Sequence, residues 1–526
     1  MSNKKKQLRK DKQSLSPKVS PIKPKRKWPR VPAVALLFVA VWLICWLIWG
    51  DVLYIAEQNS YLAFDATIMQ NVLDLKWAPY YIIGRFLLLS YHYPVFGSLL
   101  MASILTGISC LLKYLLPKNN YIQVLAVLVP LAYVCFIAYR GFNLFYQREP
   151  GTIFAFPFSV LLVLSVVVIL VRILSKHRFF ELLSRRVNIA QCLSIIVVSM
   201  FIVGYSYMYR ENMRVTAKLQ RLMQEEEWNE MIDLALTCKQ PDRSVCCYYA
   251  IALSQTDQLS NRLFEIKFQF PKAQLRNKEG KYDVGLEYFN YDGDFYAGLI
   301  NSAYHDCMER SVLDGPSVMK FKRMFLCSLI NSEFKLAEKY MHLIKKMPFE
   351  SAFAEKYEAM ITDHELILKD PSLVRVAECV PLQDSFEQQY NAPLFLGYNV
   401  ELTSGRHIRA LYHSLSACLY SKNIDHFMER MEPLAGQTLP RPFEDALIIH
   451  SLKEEVNSDL YKITPMAISS LKQFLSTLAP YRLDDKKVTA DRFRENYYGY
   501  FPLYYYLENI PDENYIQNQR EKGQVN

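Results

Sequence analysis

NIAQCLSIIVVSMFIVGYSYMY, residues 188–209, runs straight into RENMRVTAKLQRLMQEEEW, residues 210–228, and the join between them decides the fold. The first stretch is 22 residues without a charge. A helix of that length crosses a bilayer core, where no water is present to satisfy backbone groups outside hydrogen-bonded structure. The second stretch is charged, and its Leu219, Leu222 and Met223 share one helical face. The chain is therefore expected to leave the membrane at Tyr209 as an amphipathic helix.

Charge changes sign at the same join. Residues 1–209 carry 23 Lys and Arg against 7 Asp and Glu, whereas residues 210–526 carry 38 against 45. The overall formal charge of +9 thus conceals two unlike halves.

Four further apolar runs lie upstream, at 31–50, 94–116, 121–139 and 154–174. Lys113, Arg140 and Arg172 sit at or near span ends, where long side chains reach the headgroups. No span has an acid near its centre, which argues against a pump or coupled transporter. The first run reads as an uncleaved anchor. Its basic leader is 30 residues long, and its Trp46-Leu47-Ile48-Trp49 exit lacks the small residues of a signal-peptidase site. With the N-terminus inside, the inner side collects 19 Lys and Arg beside the spans, and the outer side four, Lys76, Arg85, Arg140 and Arg148. Five crossings then place residues 210–526 outside the cytoplasm. The basic tail, 1–30, reads as a disordered orientation signal touching anionic lipid rather than as a nucleic-acid arm.

Residues 51–93 form the longest connection between spans. Trp77 to Leu89 is apolar but too short to cross with Arg85 inside it, so an interfacial or re-entrant helix is expected. Glu57 and Asp65 are the candidate catalytic residues of this loop. A carboxylate there, beside a juxtamembrane helix, can act as base on an acceptor hydroxyl, as in some lipid-linked glycosyltransferases. The competing reading is an acid solvated in a polar loop.

Beyond Arg210 the pattern is paired helices. Glu225-Glu226-Glu227-Trp228 opens a helix closed near Pro241, and a similar unit runs from Met324 to Pro348 with Phe334, Ala337, Tyr340 and Leu343 in step. Trp228 and Phe334 are 106 residues apart, about three tetratricopeptide periods, with weaker units near Leu259 and Tyr296 between them. Further helices are expected over 405–420, 423–431, 442–453 and 465–478. The expected fold is all-α, a five-span bundle over 31–209 followed by a degenerate α-solenoid over 210–526. Stacked pairs of this kind share a core and expose a concave binding surface.

Chemistry-bearing motifs are sparse. Seven cysteines follow Arg210, an odd number, and Cys238, Cys246 and Cys247 lie close together without a C-x-x-C or a nearby His. A local disulfide and plain helix packing both remain open there, and no metal site is expected. Asp292-Gly293-Asp294 is too short for a calcium loop and reads as a turn or helix start. There is no P-loop, dinucleotide fingerprint or G-x-S-x-G, so no cofactor is expected. Tyr497, Tyr498, Tyr500, Tyr504 and Tyr505 form the densest aromatic run. They are candidates for stacking on a sugar or anchoring a partner, with capping of the solenoid end as the alternative.

Several blocks carry a resemblance: Glu57-Gln58 with Tyr80 to Gly97, Ala252-Leu253-Ser254 with Leu259 to Phe264, Ala337-Glu338-Lys339-Tyr340, and Asn496-Tyr497-Tyr498 with Tyr504 to Tyr506. Together the chain resembles a family of uncharacterised multi-pass membrane proteins of Bacteroides-type bacteria. The resemblance implies a bacterial inner-membrane location and a periplasmic helical domain, and it supplies no catalytic residues. An envelope protein or glycan is the expected partner, and an enzyme of envelope glycan or lipid assembly is the alternative.

Overall fold

The computed structural model describes residues 32–117, 119, 121–140, 149–175, 189–268, 290–313, 315–382, 407–453, 460–481 and 484–508. They build an all-α fold with no strand among the described residues. The basic tail 1–30 and Lys118, Arg148, Lys176, Arg178, Arg185 and Arg186, which enter the orientation count, lie outside them.

Among the described residues, four helices are long and apolar enough to cross a membrane: Pro94–Leu115, Ile122–Arg140, Thr152–Ser175 and Ile189–Tyr209. A bent pair, Ala33–Ile48 and Gly50–Gln58, brings the number to as many as five. The bend is 67° and follows a π-helical turn at Ile44–Ile48. Only the first limb is apolar throughout. The second carries Asp51 and Glu57 and packs on the polar helix Glu211–Gln224, so we take Ala33–Ile48 as the limb within the bilayer. At the bend the Trp49 indole donates 3.2 Å to the Ser206 hydroxyl, with both side chains buried, which ties the first span to the last. Val163, Val166, Ile169, Leu170 and Ile173 are exposed, as are Leu193, Val197, Met200 and Phe201. Such extended apolar surface has no place in water and suits contact with lipid tails.

The Trp77–Leu89 stretch forms a helix at Ala78–Leu88, packed against Thr152–Ser175. Its backbone touches the start of that neighbour: a Cβ built on Gly84 would lie 2.4 Å from the Gly151 carbonyl oxygen. No side chain larger than hydrogen fits between them. Arg85, inside this helix, is buried. It is 4% exposed, because its guanidinium holds Glu149 in two bonds of 2.9 and 3.1 Å and donates 2.9 Å to the Tyr61 carbonyl.

The half after Tyr209 has one apolar core running from Leu219 to Leu507. Five helix pairs in it are joined by the same turn. At Glu226, Asp257, Gly298, Ser332 and Lys422 the backbone enters the left-handed region, with φ between 55° and 84°. In each, that residue's N–H bonds the carbonyl three residues back, and the next N–H bonds the carbonyl five back, at 2.8–2.9 Å. This is the Schellman closure, which satisfies carbonyls otherwise orphaned at a helix end. The next helices open at Trp228, Leu259, Ile300, Phe334 and Ile424. The first four turns are spaced 31, 41 and 34 residues apart, close to a tetratricopeptide step.

Four of the five left-handed residues are not glycine, and three of those use the side chain that glycine lacks. Glu226 accepts 2.6 Å from Lys356, Asp257 pairs with Arg409, and Lys422 donates 2.9 Å to the Tyr505 carbonyl. Gly298 has the opposite reason. A Cβ there would fall 2.4 Å from the Cys379 backbone. Asp292-Gly293-Asp294 lies inside a helix, Asn290–Tyr296, and Asp292 is fully enclosed, bonded 2.6 Å to Arg323 and 2.9 Å to the Tyr248 hydroxyl. All eleven cysteines are free thiols, Cys238, Cys246 and Cys247 included.

Ser332 carries no side-chain anchor among the described residues, so the turns can be tested there. Relief of left-handed strain, set against the extra unfolded-state entropy of glycine, predicts that Ser332→Gly stabilises the polar half by up to about 1 kcal/mol. Ser332→Val is expected to destabilise it, because a β-branched residue is a poor fit at positive φ. Thermal unfolding of the purified chain in detergent reads both.

Candidate functional site

The loop acids converge on one place, the contact between the loop that follows Ala33–Ile48 and the polar half. The 67° bend turns Gly50–Gln58 alongside Glu211–Gln224, which sets Asp51 3.0 Å from Arg221 and lets the Tyr54 hydroxyl donate 2.8 Å to Gln224. Past Gln58 the chain becomes a strap. The Val318 N–H donates 3.1 Å to the Ser60 carbonyl, the Tyr61 ring meets Phe321 edge-on at 6.3 Å, and Tyr61, Leu62, Ala63, Met69 and Val72 share a small core with Val318 and Met347. Asp65 closes the strap by pairing with Lys346.

Glu57 and Asp65, the two candidate bases, therefore sit in opposite environments. Asp65 is part-exposed, and its Lys346 bond, helped by the Thr67 N–H at 2.9 Å, holds its pKa down to about 2. An acid so firmly ionised is a weak base. Glu57 is not solvated as a loop acid would be: it is 4% exposed. Burial pushes its carboxyl up to about 8. The Glu350 charge adds to that rise, while Gln58, whose amide donates 2.7 Å, and Lys322 oppose it. Lys322 is already ion-paired with the buried Glu350, so among the described residues Glu57 has no lysine or arginine of its own. His92 Nδ1 lies 4.0 Å from Glu57, and burial together with Lys322 pushes this imidazole below its ordinary value, toward the neutral form. Near it in sequence or space, Gln58 Oε1, Asn59 Nδ2, Ser60 Oγ and His92 Nδ1 are buried without hydrogen-bond partners among the described residues.

Glu57, Ser60, Arg85, Leu88, Val318 and Pro348 line a cavity of about 10 Å³ at this contact. That is room for one water. Ligand pockets run to roughly 300 Å³ and more, so an acceptor sugar or lipid headgroup does not fit beside Glu57 as the site stands.

The aromatic run lies elsewhere, against the apolar core of the polar half. Tyr504 is buried and donates to the Tyr420 carbonyl, Tyr497 packs 5.0 Å edge-on to Phe474, and Tyr500 lies 5.7 Å from the same ring and 3.5 Å from Asp445. Tyr505 is partly buried against the same core, whereas Tyr498 is 56% exposed. Apart from Tyr498, these rings pack against the core rather than offer a face to a sugar. His413 is also internal, held between Cys379 at 3.3 Å and Ser254 at 3.2 Å.

Sequence reasoning missed Arg221, Lys322, Lys346 and Glu350, the polar-half side of this contact. Each is an ordinary charge in an amphipathic helix or turn, and only the fold shows which acid it meets.

A family model described as a family of unknown function, DUF6057, matches residues 26–146 and 122–506. No curated protein and no solved structure matches the chain.

The contact should respond to rising pH. A carboxyl whose folded pKa exceeds its ordinary 4.5 favours the folded, docked state fully below that value, and the contribution is lost as pH rises through about 8. Hydrogen exchange over 57–65 and 318–325 is expected to quicken from about pH 5 to about pH 8 and to level off above that, measured against exchange in the spans to remove the intrinsic pH effect. Glu57→Gln is expected to flatten that response. An unchanged response in the variant would assign it to another group.

Proposed function

We propose the following role for this chain, which belongs to the family of unknown function DUF6057: it is a bacterial inner-membrane protein that holds a tetratricopeptide-like, solenoid-type scaffold against the outer face of that membrane, as a platform for an envelope protein or glycan. The observation that carries this reading is the fivefold use of one Schellman turn between helix pairs. Helix pairs repeated in this way stack side by side, share a core and leave extended surfaces suited to partners. The positive-inside count supports a periplasmic position for the scaffold.

The competing reading, an enzyme of envelope glycan or lipid assembly using a loop carboxylate, draws no support from the geometry of its candidates. Asp65 is occupied by Lys346, and Glu57 faces a cavity the size of one water.

Three measurements on the full chain in its native membrane test the proposal. A reporter fused at Asn526 is expected to report from the periplasm, and a cytoplasmic signal would overturn the orientation. Crosslinking in intact cells is expected to trap one recurrent envelope partner through residues 210–526. The Glu57→Ala, Asp65→Ala double variant is expected to leave envelope glycans unchanged, while deletion of 210–526 reproduces loss of the whole protein. Altered glycans in the double variant, at normal protein level, would favour the enzyme.

A further inference from the structure

Among the described residues, Phe349 is the one left-handed residue other than glycine that belongs to none of the Schellman turns. Its φ is 67°, unusual for a bulky side chain and a sign that surrounding contacts impose the conformation. Those contacts are on either side of it. Lys346 pairs with Asp65, Met347 is buried in the strap core, Pro348 lines the Glu57 cavity, and the next residue, Glu350, is 3% exposed and paired with Lys322. Within this anchored turn, the ring of Phe349 is left 47% exposed.

The ring faces the mouth of a span. It stacks on His92 at 4.3 Å and 14°, and meets Tyr93 edge-on at 6.0 Å. Tyr93 in turn meets Phe96 at 6.2 Å, on the first turn of Pro94–Leu115. Tyr93 is 55% exposed and Phe96 65%, and Val95 and Leu99 continue the same exposed apolar surface down the span. The aromatic patch is thus shared between the two halves and continuous with a surface that faces lipid tails. Aromatic rings favour the headgroup boundary, where one side is apolar and the other wet.

We propose that the Lys345–Glu350 turn is a membrane contact of the polar half, with Phe349 inserted among lipid headgroups beside Tyr93 and Phe96. The occupant is the bilayer surface around Pro94–Leu115. Continuity of the patch with that helix favours lipid over a protein partner. Lys345 and Lys346 are already paired, with Glu358 and Asp65, so insertion of the ring rather than attraction to anionic lipid makes the contact. This requires that Pro94–Leu115 crosses the bilayer and is independent of whether the scaffold binds a partner.

A benzophenone analogue of phenylalanine placed at 349 in the full chain, reconstituted in nanodiscs of phosphatidylethanolamine and phosphatidylglycerol, tests the proposal. The same analogue at Phe201, exposed on the last span, gives the lipid reference, and at Tyr498, exposed on the polar half, the background. Irradiation is expected to yield lipid adducts at 349 comparable with those at 201 and well above those at 498. Adducts only to protein, or a lipid yield no higher than at 498 while 201 reacts, would overturn it. Similar 349 yields in nanodiscs containing phosphatidylethanolamine alone are expected. Loss of the adduct without the anionic lipid would overturn insertion in favour of charge attraction.

Discussion

The join between the two halves depends on Arg85. A buried guanidinium is tolerated only where its charge and its fork of donors are met, and removing one partner from such a pair typically costs about 3–5 kcal/mol. Arg85 meets Glu149 with two parallel bonds, the Tyr61 carbonyl with a third, and the Tyr61 ring at 4.5 Å. It therefore binds three pieces of chain at once: its own helix, the residues leading into Thr152–Ser175, and the strap. The strap then carries the connection onward, because the same Tyr61 packs against Phe321 and its neighbour Ser60 accepts from Val318. Gly84 and Gly151 serve the same end. Their close approach lets the two helices come near enough for Arg85 and Glu149 to meet.

From that anchor the distribution of charge at the contact follows. Asp51 and Asp65 lie toward the edges, where Arg221 and Lys346 reach them and each pair keeps access to water. Glu57 lies in the middle, where burial disfavours its charge. Edge pairs that tolerate solvent fix register more than they add stability. A central carboxyl that is neutral at low pH instead lets apolar packing proceed around it. Placing the paired acids outside and the protonatable one inside makes the junction firmest in mild acid.

What the sequence disclosed and what it hid follow from the range of the interactions. The spans are runs of apolar residues, local by nature, and hydropathy locates them. The helices Pro465–Leu478 and Ile424–Arg430 are likewise marked by their own Thr464 and Asn423 caps. Arg85 reads as a lone charge in an apolar stretch because its partner Glu149 is 64 residues away. Glu57 reads as a loop acid because nothing nearby in sequence signals that residues from 318–350 cover it. The repeat was legible only in outline, at Trp228 and Phe334, since glycine, the usual mark of a left-handed turn, is present in one of the five.

That absence of glycine is itself informative. A left-handed Glu, Asp or Lys carries steric strain that glycine would avoid, yet Glu226, Asp257 and Lys422 each reach a residue well over one hundred positions away or in a distant helix: Lys356, Arg409 and the Tyr505 carbonyl. A stack of helix pairs held only by its nearest neighbours can flex along its length. Pins that run from hairpin tips to later helices oppose that flexing and hold the polar half as one block. A block docked through Arg85 and the strap has a defined orientation toward the spans, and that is what allows one strained turn, at Phe349, to stand consistently at the mouth of Pro94–Leu115.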